Sequence, residues 1–294
     1  MLERPVKTES RKRSKALFLR HSERKPVSHS CWNRSMNATA PTLPAGYRLI
    51  VFDEIDSTNR EAARLAQAGE TGPVWVWANA QTKGQGRADH SWVSERGNLY
   101  ATLMTGFSRA RPTELGFAMA LALYDAAARC LPDRANAPLA LKWPNDLLVD
   151  GTKTAGILLE TVGRRENDGV VLVAAGFGLN VTRKPAIAGC RLACLADFGA
   201  KAGVADALDY LAASVETWLT RWDNGRGFAA IRQSWLARAH GLGRPMTVRT
   251  GQRRQEGVFE DLAPDGALLL RLGNGRLKRI LAGDIAIPDR NNGP

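Results

Sequence analysis

The sequence predicts an α+β protein in two folded parts: a larger domain mixing strands with helices, and a small all-β barrel behind it. Three observations carry this. From Tyr47 to residue 241, short runs rich in Val, Ile and Trp alternate with longer runs whose apolar residues fall at helical spacing. After Gly241-Leu-Gly-Arg-Pro245 only short strand-like runs remain, separated by turn dipeptides. The composition of the 294 residues, 44% hydrophobic and 24% charged, is that of a globular chain and excludes a disordered or fibrous one. No apolar run approaches the roughly 18 residues of a membrane span. Four cysteines in this length do not make a disulfide framework, which fits a reducing, cytoplasmic location.

The formal net charge of +12 raises the question of nucleic acid, so its position matters. Residues 1–35 hold ten Lys/Arg and three acids, while residues 36–294 carry 31 bases and 26 acids. The body is close to neutral, which argues against a non-catalytic nucleic-acid binder. Residues 1–45 read as a basic, mostly disordered leader. Its one apolar patch, Ala16-Leu-Phe-Leu19, is too short for a signal-peptide core. A nucleic-acid-binding arm, an organelle-targeting peptide and a translation start at Met36 are the alternatives for it.

Each element follows from its own residues. Tyr47-Arg-Leu-Ile-Val-Phe52 is a strand. Asp56-Ser-Thr-Asn59 leads into a helix over 60–68 closed by Gly69, with Thr58 and Glu61 spaced for a capping box. Val74–Ala78 is a strand, 79–97 a long glycine-containing loop, 98–105 a strand and 113–130 an apolar helix. Leu139–Trp143 and Asp146–Val149 are strands, Asp150-Gly151 is a tight turn, and Ala155–Glu160 and Val170–Ala175 are further strands. Helices fill 205–222 and 226–240. The strands 246–250, 254–260, 267–272 and 277–281 then alternate with Thr250-Gly251, Asp265-Gly266 and Asn274-Gly275 turns. The expected domains are 46–241 and 242–294.

Four stretches carry chemistry. In Gln81-Thr-Lys-Gly-Gln-Gly-Arg-Ala-Asp-His-Ser-Trp92, Gly84 and Gly86 let backbone N–H groups approach a ligand, Lys83 and Arg87 add positive charge, and Trp92 offers a stacking face. A plain two-glycine surface loop is the alternative. Lys142-Trp-Pro-Asn-Asp146 brings charged and amide groups into an apolar strand, which is costly unless they have partners; a capped turn is the alternative. Lys153 sits where a strand begins, able to set its ammonium at the sheet edge near a developing negative charge, or simply in solvent. Gly176-Phe-Gly-Leu-Asn180 closes a strand with two glycines and an amide able to donate and accept; a bulge or turn is the alternative.

In order and spacing, Asp56–Asn59 and these four stretches together resemble the biotin–protein ligases, the biotin–[acetyl-CoA-carboxylase] ligases, over about residues 47–287. The resemblance implies a mixed-sheet domain similar to class II aminoacyl-tRNA synthetases, followed by a small SH3-like barrel. It implies that biotin and Mg-ATP give biotinyl-5′-AMP, and that biotin then passes to a lysine of a biotin carboxyl carrier protein, the carrier domain of a carboxylase of the acetyl-CoA carboxylase type. By motif, Ser57, Thr58 and Asn59 border the biotin rings and Gln81 bonds in the same pocket. Gln85, Gly86 and Arg87 close over biotin. Lys153 contacts the biotin carboxylate or the bridging oxygens, with Gly156 giving room beside it. Trp92 packs on adenine, Asn180 reads adenine, and Lys142, Asn145 and Asp146 line the ATP/Mg2+ side without assigned metal ligands. No side-chain nucleophile is required, so the lack of a Ser-His-Asp or Cys-His arrangement is no objection.

The loop departs from the family pattern. Gly-Arg-Gly-Arg-x-Gly-Arg-x-Trp becomes Gly84-Gln-Gly-Arg-Ala-Asp-His-Ser-Trp92, so Gln85, Asp89 and His90 replace Arg, Gly and Arg. Two fixed positive charges are lost, with Lys83 a partial replacement. Some family members repress transcription through an N-terminal winged helix-turn-helix; no such pattern precedes Tyr47, so the expectation is a monofunctional ligase without specific nucleic-acid binding, monomeric or homodimeric. The rival within the fold is a lipoate or octanoate ligase or transferase, against which Lys142–Asp146 and the C-terminal barrel argue. Cys190 and Cys194 have no Cys/His partner pair at zinc-site spacing.

Overall fold

A computed structural model of the chain describes residues 41–88, 90–108, 111–132, 136–165 and 167–287. The leader reading falls mostly on residues outside these, as does the search there for a helix-turn-helix, and so does Asp89.

The first domain is a seven-stranded mixed sheet. Its strands are β1 (Arg48–Ile55), β2 (Val74–Gln81), β3 (Leu99–Phe107), β4 (Leu139–Lys142), β5 (Asp146–Val149), β6 (Thr152–Arg164) and β7 (Val171–Leu179), in the order β1-β2-β3-β7-β6-β5-β4. Only β1 and β2 run parallel, and helix α1 (Thr58–Gln67) makes the crossover that a parallel pair needs. The sheet is covered on both faces. Trp75 and Trp77 of β2 point into the core shared with α2 (Pro112–Cys130), α3 (Val204–Trp222) and α4 (Phe228–Leu236). Val74, Val76 and Ala78 alternate to the other face, towards α1. That double burial is why β2 reads as an unbroken apolar run rather than an alternating one.

The second sheet holds β8 (Pro245–Thr250), β9 (Arg253–Leu262), β10 (Leu268–Arg271), β11 (Leu277–Ile280) and β12 (Asp284–Ala286), all antiparallel, in the order β11-β10-β9-β8-β12. Its inner residues, among them Met246, Phe259 and Ile285, belong to the same core cluster as the first domain. Phe117, Trp235 and Phe259 stack in series, at 5.3 and 6.5 Å, across the junction. Arg232 of α4 donates to Leu262 O at 2.7 Å. No helix among the described residues is long and apolar enough to cross a membrane.

Four expectations change. Thr58 is not a cap: Ser57 is the N-cap without a side-chain bond, Thr58 is the first helical residue, and Glu61 pairs with Arg64 instead of reaching back. The chain is ordered before Tyr47. Pro41 is buried, Thr42 N donates to Asp209 at 2.6 Å and Tyr47 Oη to Glu216 at 2.6 Å, so residues 41–46 lie along α3 and part of the supposed leader belongs to the fold. Strand β7 runs through Gly176-Phe-Gly-Leu179, so these glycines lie inside it, not beyond its end. The helix expected over 226–240 spans only Phe228–Leu236 and is preceded by a 3-10 turn at Asp223–Gly225.

Candidate active site

The floor of the site is a shelf on β6 and β7. Gly156 and Gly178 are register partners on these neighbouring strands. A Cβ added at Gly178 would stand 2.5 Å from Trp92 Cε2, and one at Gly156 would stand 3.1 Å from Trp92 Cζ3. The pair therefore seats the Trp92 indole, and Gly156 makes room for that ring rather than for Lys153. Gly176 does the same for Asn59, whose Oδ1 a Cβ there would overlap. The glycine-rich strand end thus first accommodates the protein's own side chains, which no reading of the strand alone supplies.

The N-terminus of α1 is locked into this floor. Ser57, Thr58 and Asn59 are all buried. Asn59 Nδ2 donates to Glu160 Oε2 at 2.7 Å and Leu158 O at 3.3 Å. Thr102 Oγ1 lies 2.7 Å from Asn59 Oδ1 and 2.8 Å from Thr58 Oγ1. Gln81 Oε1 accepts from Thr58 N at 2.8 Å while its Nε2 donates to Ser94 Oγ at 2.8 Å. These partners offset the desolvation of the buried polar groups and fix their directions before any ligand arrives.

The glycine loop folds over this floor as a narrow hairpin. Trp92 N donates to Gly84 O at 2.9 Å and Gly86 N to His90 O at 2.7 Å, and a Cβ at Gly84 would overlap Trp92 O. Two side chains hold it down: Arg87 Nη1 donates to Asn145 Oδ1 at 3.0 Å, and Gln85 Oε1 accepts from Arg60 Nε at 3.2 Å. Asn145 in turn donates to Ile157 O at 2.8 Å, so the β4–β5 turn is tied to β6. Lys153, which follows the Asp150-Gly151 turn (φ +46° and +68°), places its Nζ 2.7 Å from Asp146 Oδ1 and 5.5 Å from the centre of the Trp92 ring.

Together these walls line one cleft of about 180 Å3. Of the residues that the resemblance assigns to biotin or ATP, all but Asn180 line it: Ser57, Thr58, Asn59, Gln81, Gln85, Gly86, Arg87, Trp92, Lys142, Asn145, Asp146, Lys153 and Gly156. Asn180 is 1% exposed, its Nδ2 donates to Ala193 O at 3.0 Å, and its Oδ1 is buried without a partner. Lys83 is exposed and outside the lining, so it does not replace the lost loop arginines at the cleft. Sequence reasoning missed Trp143, Phe177, Asp284 and Ile285 as wall residues. The first two sit inside motifs already marked. The last two come from β12 of the second sheet, and nothing local to them signals it.

Comparison with known proteins agrees with this architecture. The model of the biotin/lipoate A/B protein ligase family matches residues 51–176, and that of the biotin protein ligase C terminal domain matches residues 241–287. A biotin–[acetyl-CoA-carboxylase] ligase of Paracoccus denitrificans is 41% identical over 231 residues, covering 75% of this chain and 93% of that protein. One of Mycobacterium tuberculosis is 30% identical over 250 residues, covering 82% and 90%. Among solved structures, a biotin protein ligase from Aquifex aeolicus in complex with biotin and ATP shares the fold with a TM-score of 0.69, at 23% identity, over 82% of this chain and 98% of that one. With both models matched in chain order and a 41% identical relative spanned almost end to end, the chain belongs to the biotin–protein ligase family.

Proposed function

We propose that the protein joins biotin to ATP as biotinyl-5′-AMP, releasing pyrophosphate, and then transfers the biotinyl group to a lysine of a biotin carboxyl carrier domain. The observation that carries this reading is the gathering of three cations, Arg87, Lys142 and Lys153, around one cleft whose floor offers a seated indole and a satisfied polar network.

The chemistry follows from that arrangement. Ser57, Thr58, Asn59 and Gln81 form the rigid end that receives the biotin rings. A biotin carboxylate oxygen attacks the α-phosphorus; the new P–O bond forms as the bond to the β-phosphate breaks, and pyrophosphate leaves with its electron pair. Two anions meet and a third departs, so cations fixed beforehand stabilise the transition state more than the separated substrates. Lys153 stands beside the joining point, and its pairing with Asp146 holds the ammonium in place until the substrates enter. Trp92 offers its open face to adenine. Asn180 is assigned to adenine through its Oδ1, which is buried without a partner. The loop, pinned by Arg87 and Gln85, excludes water that would hydrolyse the mixed anhydride.

A magnesium ion brought with the nucleotide fits this donor set. Asp146 is the inner carboxylate of the cleft, and Mg2+ commonly takes one or two carboxylates beside substrate phosphates and water. Bound there, the ion would neutralise phosphate charge.

The acceptor is read as a carrier domain of a carboxylase of the acetyl-CoA carboxylase type, as the name of the 41% identical relative suggests. The experiment is incubation with biotin, Mg-ATP and such a carrier domain, followed by intact mass. A gain of one biotinyl group is expected; an unchanged carrier mass would refute the reading. Parallel titration calorimetry should give binding of biotin and none of lipoate.

A further inference from the structure

We propose that Asp284 receives the side-chain ammonium of the acceptor lysine, which makes strand β12 the acceptor subsite of the cleft. This rests on the function proposed above and adds a residue to its second half-reaction.

Of the residues lining the cleft, only His90, Ser91 and Asp284 are exposed. They mark its mouth, between the tip of the glycine loop and β12. A lysine attached to a folded carrier must enter there. It arrives as a cation, and the chamber beyond holds Arg87, Lys142 and Lys153. Like charges at such spacing repel it unless a negative group stands on the path. Two carboxylates line the cleft. Asp146 lies inside and is paired with Lys153 at 2.7 Å. Asp284 stands at the mouth and makes no ion pair among the described residues, although Arg249 is its register partner on β8.

The position of Asp284 is built rather than incidental. Ile285 beside it is 5% exposed and anchors β12 in the common core. A Cβ at Gly283 would stand 2.7 Å from Arg249 O, so the glycine lets the strand press against β8 at the turn that presents Asp284. With the ammonium held at the mouth, loss of one proton to water frees the amine to attack the biotinyl carbonyl. The C–N bond forms, the carbonyl–oxygen bond to phosphate breaks, AMP leaves with that electron pair, and the second proton passes to water.

The test uses the full-length protein and adenylate already formed on it. Release is followed in single turnover with two nucleophiles, a biotin carboxyl carrier domain and hydroxylamine, which is uncharged at neutral pH. For Asp284→Asn the ratio of carrier transfer to hydroxylamine trapping should fall by about tenfold at low salt, with the loss in KM for the carrier. Asp284→Glu should restore the ratio, and high salt should shrink the difference. An unchanged ratio in Asp284→Asn would overturn the inference, as would an equal loss with both nucleophiles, which is what a merely structural role gives. If the unmodified protein releases no pyrophosphate from biotin and ATP, the function itself fails and the inference falls with it.

Discussion

At the scale of single residues, two side chains divide the work of the cleft. In the proposed reaction Lys153 supplies charge at the joining point; its ammonium pairs with Asp146 and lies 5.5 Å from the centre of the Trp92 ring. Lys153→Ala should therefore abolish pyrophosphate release from biotin and ATP while moving the unfolding free energy by no more than about 1 kcal/mol. Pyrophosphate release at the unmodified rate would remove Lys153 from the mechanism. Arg87 acts on the loop: it is the arginine of the family pattern that survives here, and it fastens the loop to Asn145 at 3.0 Å. Arg87→Gly should leak free biotinyl-AMP into an ultrafiltrate during turnover, because a hydrogen bond to a charged group of about 1.5–3 kcal/mol no longer opposes opening. Full retention of the adenylate in that variant would show that Gln85 and the hairpin bonds suffice. The glycines teach the same lesson in reverse, since Gly176 and Gly178 matter through Asn59 and Trp92, which lie on other elements.

At the scale of elements, most of the pattern was legible. The strands and helices up to α3 fall where periodicity and turn residues put them, because those signals depend on residues a few positions apart, although β6 and β7 run on to Arg164 and Leu179, four residues beyond their expected ends. The start of α1 was misread because Thr58 and Glu61 satisfy the spacing of a cap, while tertiary partners, Gln81 and Thr102, compete for the threonine. The segment from β7 to α3 makes a further prediction through its cysteines. Cys190 is exposed on it, whereas Cys194 and Cys130 are buried. Burial pushes the Cys130 thiol up to about 12 and raises that of Cys194 as well. Since the thiolate is the reactive form, iodoacetamide near neutral pH should label Cys190 and spare Cys130 and Cys194 in the folded protein, as peptide mapping would reveal. Labelling of Cys130 without denaturant would mean that α2 is not packed as described.

At the scale of the whole molecule, the two sheets share one core. Trp235 and Phe117 on the first side, and Phe259 with Met246 on the second, would lose their cover if the parts separated. Truncation after residue 241 should therefore weaken the first domain by more than any single core substitution, for which large-to-small changes cost about 2–5 kcal/mol. A truncated chain that melts cooperatively at the full-length temperature would show instead that the domains are energetically separate. Two sheets in one core also explain how β12 can stand at the mouth of a cleft built by β6, β7 and α1.

The sequence by itself determined the element types, the strand-rich character after residue 241 and which short motifs the fold gathers around one cleft. Each of these rests on spacing within a few residues, where turn chemistry and hydrophobic period act directly. Only the tertiary structure decided that the glycines of β6 and β7 seat Trp92 and Asn59, that residues 41–46 belong to the fold, that Lys83 stays outside the cleft lining while Lys153 pairs with Asp146, and that Asp284 reaches the cleft. Apart from the statement about the two lysines, each of these joins residues tens to well over a hundred positions apart, and contacts at that distance are fixed by the burial of a shared core, which no local pattern records.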